Sequence, residues 1–312
     1  MLSSTLRFDG KVALITGAGG GLGRAYATML ASRGCNVVVN ELSVAAGQRV
    51  VDEIVADAGV AVLSNHDVAR EAVALIEDVE QRFGQLDIVI NNAGTTNGGP
   101  FADIPAADFD KLLAVHLGGT VSVCRAAWSL LARGGKGKII NTSSGAIFGF
   151  PFASAYVTAK AAVMGLSRTL AAEGRLHGIA VNSILPNAYT PMSDQIPDEA
   201  FRHFIRDFFS AEDVASFVVW LAHEDCTITG EAWSVGGGRA ARIALSSAAG
   251  AMAGGDGPEA WRGREAELME QQPVHVPASS LDEVAYQASQ IGGAAAEAIQ
   301  HVPLHDWGGR SR

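Results

Sequence analysis

Short apolar runs alternate with longer amphipathic segments over most of this chain, and that alternation restricts its fold more than any other feature. The apolar runs are rich in β-branched residues and predict seven strands: Val12–Thr16, Asn36–Asn40, Ala61–Ser64, Asp87–Asn91, Lys138–Thr142, Ile179–Leu185 and Ala232–Val235. The intervening segments predict helices: Gly21–Arg33, Ser43–Ala58, Ala69–Phe83, Ala106–Leu131 and Ser154–Leu176. Strands that are apolar throughout and separated by helices form parallel sheets covered on both faces. We therefore expect an α/β fold with a doubly wound, parallel, seven-stranded sheet.

The composition changes near Gly236–Gly238, beyond which small residues and a glycine-rich stretch replace the strand and helix pattern. Two further helices are predicted there, Glu259–Gln271 and Leu281–Gln300, on either side of a proline-containing loop. We expect residues 1–238 to form one domain and residues 239–312 a helical C-terminal extension, packed on that domain or on a partner subunit. A flexible tail is the alternative that the sequence leaves open.

Charge and composition exclude several classes of protein. The chain has 312 residues, of which 48% are hydrophobic and 18% charged, as in a globular protein. Its formal net charge of -10 argues against binding to nucleic acid or to an anionic membrane surface. The cysteines Cys35, Cys124 and Cys226 are scattered without metal-ligand spacing, which indicates reduced thiols, no metal site and a cytoplasmic protein. We find neither an apolar run of about eighteen residues, which would predict a membrane span, nor the apolar core of a signal peptide.

A glycine-rich segment, TGAGGGLG, runs from Thr16 to Gly23 between the first predicted strand and the first predicted helix. Glycines there let the backbone turn sharply and approach a pyrophosphate, and the helix N-terminus offers unpaired N–H groups at its positive dipole end. This strand–turn–helix context predicts a dinucleotide site that includes Gly17, Gly21, Leu22 and Gly23.

Residues at three further strand ends extend the predicted cofactor site. Glu41 follows the second strand, where a carboxylate can accept hydrogen bonds from both hydroxyls of an adenosine ribose and repels a 2′-phosphate. Glu41 therefore favours NAD over NADP, unless it is an ordinary exposed glutamate that starts a helix. Asp67 and Val68 follow the third strand and can reach the adenine. Small residues close the fourth strand and would let the cofactor lie across the sheet edge: Asn92, Ala93 and Gly94.

Tyr156 and Lys160 are four residues apart in a predicted helix, so they lie on one face, one turn apart. Tyrosine normally loses its proton near pH ~10, and a neighbouring ammonium group favours the phenolate and lowers the pKa. Ser143 lies at the end of the strand Lys138–Thr142, from which its hydroxyl can come beside the phenol. Together the three residues could move a proton on or off a carbinol oxygen. Taken alone, the Tyr/Lys pair could equally be a solvated face or a packing contact.

These motifs, with a PNAYTPM segment after the sixth strand, resemble the short-chain dehydrogenase/reductase family in order and spacing over roughly residues 7–238. The resemblance implies a Rossmann-like domain, a nicotinamide cofactor, and hydride transfer to or from a carbonyl carbon. It implies that Tyr156 is the acid/base and that Lys160 binds the nicotinamide ribose and lowers the tyrosine pKa. It also implies that Ser143 positions the substrate oxygen.

The resemblance extends to the loop after the sixth strand and departs at one position. Thr190 would hold the nicotinamide carboxamide, and Ala188 and Met192 would also contact the cofactor. Where the family usually has an asparagine that supports a water in the proton relay, this chain has His116. His116 is either a relay residue that keeps the water through a ring nitrogen or a packed core histidine.

Several short segments, among them AVHLGGT, AAEGR, ILPNA and WLAHEDC, resemble the (3R)-hydroxyacyl-CoA dehydrogenase domains of multifunctional enzymes. This implies a small-molecule substrate that is bulky and apolar, a 17β-hydroxysteroid or a 3-hydroxyacyl-CoA. Phenylalanines near Phe150 and Phe204 suit such a substrate, although each could be ordinary core. The family also implies a homodimer or homotetramer built through the two long helices. The alternatives are an NADPH-dependent biosynthetic ketoreductase and a non-catalytic NAD-sensing protein.

Overall fold

The computed structural model describes residues 5–96, 98–195, 198–252, 258–270, 272, 274–278, 280–291, 293 and 297. The chain divides into two units, Met1–Ile243 and Ala244–Arg312, so the first unit ends a few residues beyond the predicted boundary at Gly238. Within the described residues, no helix is both long enough and apolar enough to cross a membrane.

The apolar runs of the first unit pair into one sheet, in the order β3-β2-β1-β4-β5-β6-β7-β8 over the described residues. Its strands are β1 Val12–Thr16, β2 Asn36–Asn40, β3 Val60–Ser64, β4 Ile88–Asn91, β5 Gly137–Thr142, β6 Ile179–Pro186, β7 Ala232–Gly236 and β8 Arg239–Ile243. The strands β1 to β7 are parallel, and Ala13 of β1, for example, lies opposite Val37 of β2 and Ile88 of β4. The doubly wound parallel α/β sheet is thus confirmed. The strand β8 is antiparallel to β7 and was not predicted, because its sequence, RAARI, contains two charged residues.

Helices cover both faces of the sheet because side chains alternate along each strand. They are α1 Gly21–Ala31, α2 Val44–Ala56, α3 Ala72–Phe83, α4 Ala106–Leu113, α5 Gly119–Arg133, α6 Ser154–Gly174, α7 Glu199–Phe208 and α8 Ala211–Ala222. Ala13 and Ile15 of β1 share a core with α1, α2 and α8, whereas Val12 and Leu14 share one with α3, α5 and α6. With both faces covered, the carboxyl edge of the strands is the place where such sheets bind ligands.

The predicted helix Ala106–Leu131 is divided in the structure. Its first part, α4, ends at Leu113, residues Ala114–Gly118 form a π-helical turn, and α5 follows. Such a turn places one extra residue in the helix and often occurs at functional sites. His116 lies in this turn and is only 2% exposed, so its ring is carried into the interior.

The described part of the second unit has mixed structure. Two short antiparallel strands, β9 Ser247–Ala248 and β10 Val274–His275, pair with each other. Within the predicted helix Glu259–Gln271, the described residues form a 3-10 turn and the short helix α9 Glu265–Leu268. The helix α10 Ser280–Ile291 matches the start of the second predicted helix, most of whose remaining residues lie outside the described ones. Packing of this unit on the main domain or on a partner subunit stays a prediction.

Candidate active site

Tyr156 and Lys160 lie in the first turns of α6, the helix that follows β5. The small residues Ala155 and Ala159 of the same turns are 1% and 0% exposed, which lets the backbone of α6 pack closely. Lys160 Nζ lies 5.7 Å from the centroid of the Tyr156 ring, as the four-residue spacing predicts for one helix face.

Tyr156 is half-buried, and burial raises the pKa of its hydroxyl. A hydrogen bond with the Ser144 side chain acts in the opposite direction, because a donor stabilises the phenolate oxygen. Ser144 has an extended backbone, and its hydroxyl oxygen accepts a hydrogen bond from the N–H of Ala146 at 3.1 Å. This contact fixes the Ser144 side chain at the start of the 3-10 turn that follows β5.

The structure contradicts the predicted position of Ser143. Its side chain is 1% exposed, and its hydroxyl donates to the carbonyl oxygen of Lys160 at 2.8 Å. Its N–H still continues the sheet by donating to the carbonyl oxygen of Ile184 at 2.7 Å. Adjacent residues of a strand point to opposite sides, so the hydroxyl of the next residue, Ser144, is the one that reaches the phenol.

Lys160 is 4% exposed, and its Nζ donates to the carbonyl oxygen of Thr142 at 2.7 Å. Burial lowers the pKa of Lys160 to about 7. The pKa of Tyr156, by contrast, is raised, so the expectation that the lysine brings it down is not met by the protein's own groups. An amine with a pKa near 7 is only partly protonated at neutral pH, and it therefore stabilises a phenolate weakly.

His116 lies against this pair. Its ring meets that of Tyr156 edge to face, with the centroids 5.2 Å apart and the planes at 90°. His116 Nε2 lies 2.7 Å from the carbonyl oxygen of Thr95 and 3.2 Å from its nitrogen, and the shorter contact assigns the ring proton to Nε2. Nδ1 is then a buried acceptor that has no hydrogen-bond partner among the described residues. Burial and then the charge of Lys160 lower the pKa of His116 to about 4, so the ring is neutral at pH 7.

The glycine loop and the NNAG strand end form one continuous surface. Thr16 Oγ1 accepts hydrogen bonds from the N–H groups of Asn92 and Ala93, each at 3.0 Å. The Asn92 side-chain amide donates to the carbonyl oxygens of Thr16 at 3.1 Å and Gly17 at 3.0 Å. A Cβ on Gly17, whose φ is +62, would lie 2.7 Å from Ala93 Cα, so both the conformation and the close approach require glycine. At Gly94 a Cβ would lie 2.5 Å from a ring carbon of His116, so this surface reaches the histidine that lies against Tyr156.

The helix α1 begins directly behind this loop. Gly20 precedes it in extended conformation and supplies no capping side chain, and the first turn contains no acidic residue. The N–H groups of this turn therefore stay available to an anion such as a pyrophosphate. Gly21 opens the helix, Leu22 packs on the core, and Gly23 sits against the Gly17 carbonyl where a side chain would clash.

Glu41 lies beside the glycine loop at the end of β2. Its Oε2 accepts a hydrogen bond from the N–H of Gly19, and its Oε1 accepts one from the N–H of Ser43, each at 3.1 Å. The carboxylate is half-buried and fixed against the loop, in contrast to that of a free glutamate at a helix start. Each oxygen keeps a lone pair that could accept from a hydroxyl group.

Asp67 and Val68 lie after β3, as predicted. Asp67 Oδ1 accepts a hydrogen bond from the N–H of Ala69 at 2.9 Å. Val68 is 7% exposed and packs against the start of α5, where a Cβ on Gly119 would lie 2.7 Å from the valine Cγ2. The Val68 side chain thus packs in the interior, Asp67 is half-buried, and contact of either residue with the adenine stays a prediction.

The loop after β6 approaches the glycine loop from the other side. A Cβ on Gly21 would lie 3.2 Å from Thr190 Cβ. The N–H of Thr190 donates to Ser193 Oγ at 3.1 Å, which orders the loop. Ala188 packs on the core, and Met192 is 42% exposed. Thr190 is thus the member of this group that faces the predicted cofactor region.

A buried polar network behind the site was missed by sequence reasoning. The Asn91 side-chain amide donates to Asn141 Oδ1 at 2.8 Å, and that of Asn141 donates to Ser167 Oγ at 2.9 Å. The Ser167 hydroxyl in turn donates to the carbonyl oxygen of Val163 at 2.7 Å. This chain of bonds joins β4, β5 and α6 and so holds the helix that carries Tyr156 and Lys160 against the sheet. An asparagine in the middle of the apolar run IINT was the signal that could have identified it.

Comparison with known proteins agrees with this geometry. Residues 11–200 match the short chain dehydrogenase family. The chain is 37% identical over 260 residues to the peroxisomal multifunctional enzyme type 2 of Mus musculus, a match that covers 80% of this chain and 35% of the mouse protein. The chain therefore spans about a third of the length of this relative.

Two solved structures resemble the fold. A short chain dehydrogenase from Mycobacterium avium has a TM-score of 0.70 and 36% identity, covering 78% of this chain and 88% of that one. The full-length peroxisomal multifunctional enzyme type 2 of Drosophila melanogaster has a TM-score of 0.76 and 28% identity, covering 94% of this chain and 51% of that one. Since the family match alone extends over more than half of the 312 residues, this protein belongs to the short-chain dehydrogenase family.

Proposed function

We propose that this protein interconverts a secondary alcohol and a ketone on a bulky apolar substrate, with NAD as the hydride carrier. The observation that carries the proposal is the contact of the Tyr156 hydroxyl with Ser144, one helical turn from Lys160. A phenol held in this way can exchange one proton with a carbinol oxygen. General acid–base catalysis of this kind typically contributes about 10²–10⁴-fold to the rate.

Each residue of the site has a distinct task in this reaction. NAD supplies the nicotinamide carbon that accepts or returns the hydride. In alcohol oxidation Tyr156 takes the proton of the substrate hydroxyl, while the one O–H of Ser144 donates a hydrogen bond that stabilises negative charge on the reacting oxygen to which it is directed. Because burial raises the pKa of Tyr156, the phenol is protonated at neutral pH and serves directly as the acid in ketone reduction. Oxidation, which needs the phenolate, becomes faster as the pH rises.

The proton taken up by Tyr156 leaves, we infer, past Lys160 and His116. Lys160 has a pKa of about 7 and so can exchange a proton at neutral pH. His116 Nδ1 is a buried acceptor, and a water that donates to it would satisfy it. With a pKa of about 4 the ring stays neutral, so His116 positions this water and does not itself carry the proton.

The preference for NAD rests on Glu41. Its carboxylate is fixed beside the glycine loop by the N–H groups of Gly19 and Ser43. There it can accept from ribose hydroxyls, whereas a 2′-phosphate would meet a fixed like charge. The biosynthetic NADPH-dependent alternative is disfavoured for the same reason.

The proposal of a bulky apolar substrate rests on exposed aromatic groups at the sheet's carboxyl edge. Of the twelve phenylalanines, all of them described, seven are exposed: Phe101, Phe148, Phe150, Phe152, Phe201, Phe204 and Phe208. All seven lie in segments that follow β4, β5 or β6, and contiguous exposed apolar groups mark ligand grooves. A 17β-hydroxysteroid and a 3-hydroxyacyl-CoA both fit this surface. Arg202 and Arg206 lie in α7, after β6, and we propose that they hold the phosphates of a CoA ester, although Arg206 also contacts Asp207 at 3.4 Å.

Replacing Tyr156 tests the proposed function directly. Tyr156→Phe should abolish NAD-linked oxidation of 3-hydroxyacyl-CoA esters and hydroxysteroids, because no acid or base remains, while NAD still binds. Oxidation rates are followed by the absorbance of reduced nicotinamide, and NAD binding by calorimetry. Turnover near that of the wild type in this variant would refute the proposal. A non-catalytic NAD sensor would instead bind NAD and oxidise none of these substrates in its wild-type form.

Assembly and location remain proposals of the same kind. A homodimer or homotetramer would use the outer face of α6, where Ala161 and Gly165 are exposed and leave room for a second helix. Sedimentation velocity would measure the state of assembly. Cytoplasmic location stays a prediction, and the mouse and Drosophila relatives are named peroxisomal.

A further inference from the structure

Phe152 has a backbone conformation that its side chain disfavours. Its φ is +64, and among the described residues other than glycine only Ala58, at +60, also has a positive φ. In this left-handed region the Cβ of an L-residue approaches the following carbonyl oxygen, so glycine is the residue that normally occupies it.

A neighbouring loop holds Phe152 in this conformation. The N–H of Gly99 donates to the carbonyl oxygen of Phe152 at 2.8 Å. Gly98 approaches the same oxygen so closely that a Cβ on it would lie 2.5 Å away. The contact joins the loop after β4 to the loop after β5, immediately before Ala153, the residue that caps α6.

The Phe152 side chain contributes little to the fold. It is 66% exposed, as are Phe148 at 70% and Phe150 at 64% in the same loop. A ring that is mostly in water and sits on a disfavoured backbone is not explained by stability. Such outliers concentrate at functional sites, where the surrounding structure enforces them.

We propose that Phe152 is a specificity-determining residue that contacts the apolar part of the substrate next to the reacting carbon. The proposal rests on the proposed function. In the proposed reaction the carbinol oxygen lies at the Tyr156 hydroxyl, and Phe152 precedes Tyr156 by four residues, at the end of the loop that begins with Ser144. Since the backbone is fixed from the loop after β4, the ring is presented from a rigid position, which is what discrimination between substrates requires.

The test compares substrates that differ only in apolar bulk. The probes are a short-chain and a long-chain 3-hydroxyacyl thioester of N-acetylcysteamine, with a 17β-hydroxysteroid as a second bulky alcohol. We expect Phe152→Gly and Phe152→Asn, which both tolerate a positive φ, to lower kcat/KM for the bulky probes by about tenfold. The loss should appear mainly in KM, with the short-chain thioester unaffected. Phe152→Tyr keeps the ring and should keep the selectivity of the wild type.

Ala58→Gly is the matched control for the backbone. Ala58 lies between α2 and β3, and its backbone has a positive φ like that of Phe152. Glycine adopts this conformation without strain, so the melting temperature of Ala58→Gly should rise while its substrate selectivity stays unchanged. An unchanged ratio of bulky to short-chain kcat/KM in both Phe152→Gly and Phe152→Asn would overturn the proposal. The proposal would also be overturned if kcat/KM fell equally for all probes and Phe152→Tyr did not restore it, since that result indicates a structural role. Wild-type protein that oxidises none of the probes would refute the proposed function itself, and with it this inference.

Discussion

Replacing the two adjacent serines one at a time tests which hydroxyl assists Tyr156. Ser144→Ala removes a donor that stabilises negative charge on the reacting oxygens. Loss of one such donor costs about 2.7–4 kcal/mol of transition-state stabilisation, so kcat should fall by about 10²–10³-fold. Ser144 also lowers the pKa of Tyr156. In the variant that pKa is therefore higher, and the alkaline rise of the oxidation rate should move to higher pH.

Ser143→Ala is the matched control one residue away. It deletes a buried hydrogen bond of 2.8 Å to the Lys160 carbonyl oxygen, outside the reacting groups. A bond of this kind contributes about 0.5–1.5 kcal/mol to the free energy of unfolding. For a domain of this size 1 kcal/mol corresponds to about 2–4 °C in melting temperature. We expect Ser143→Ala to melt a few degrees lower than the wild type and to keep a similar kcat.

Two measurements decide between the serines. Initial rates of NAD-linked alcohol oxidation across pH give kcat and the alkaline limb, and circular dichroism gives the melting temperatures. The reasoning is refuted if Ser143→Ala loses the large factor in kcat while Ser144→Ala keeps the activity and pH profile of the wild type. That result would mean that the register at the end of β5 places the other hydroxyl on the phenol.

The other predictions concern His116 and Glu41. His116→Ala removes the acceptor for a relay water and should lower kcat at neutral pH about tenfold or more, as expected for the loss of acid–base assistance. His116→Asn should recover much of the lost kcat. Equal activity of His116→Ala and the wild type would make the histidine a packing residue. Burial lowers the pKa of His116 from its ordinary value of 6.5 to about 4. The free energy of unfolding linked to this shift is therefore fully present above pH 6.5 and is lost as the pH falls through 4. His116→Asn should flatten the fall of melting temperature over that range, and an unchanged slope would contradict the burial argument. Glu41→Ser should raise the ratio of kcat/KM for NADP to that for NAD by about tenfold or more, since a like-charge contact costs several kcal/mol. An unchanged ratio would remove the basis for the NAD preference.

The sequence predicted that Tyr156 and Lys160 share one helix face, but it did not predict which of the two serines lies beside Tyr156. The reason is geometric. A four-residue spacing in a helix fixes Tyr156 and Lys160 on one face wherever the helix begins or ends within a few residues. A strand has a period of two, so an error of one residue at its end moves a side chain to the opposite face. The two serines after β5 are chemically identical in sequence, and only the backbone turn shows that Ser144 and not Ser143 faces the phenol.

Other features depend on local geometry that apolar periodicity does not record. The π-turn at Ala114–Gly118 inserts one residue into a segment that reads as a continuous helix from Ala106 to Leu131. The strand β8 has mostly exposed or half-exposed residues and therefore no apolar run. The conformation of Phe152 contradicts its own propensity and is imposed by the loop that contains Gly99. For Phe152, a contact from a loop about fifty residues earlier decides the local structure.

If Tyr156 and Lys160 act as proposed, their pKa values would couple the direction of the reaction to the redox state of the cofactor. Burial brings Lys160 to about 7 and leaves Tyr156 above its ordinary 10, so the chain's own groups favour a neutral phenol over a phenolate–ammonium pair. A nicotinamide ring bound beside this pair would add positive charge in its oxidised form and none in its reduced form, and a nearby positive charge favours the phenolate. Under the proposed function, bound oxidised cofactor would favour the phenolate that alcohol oxidation needs, and bound reduced cofactor would leave the phenol that ketone reduction needs. In this proposal one half-buried tyrosine serves both directions without a second acid or base.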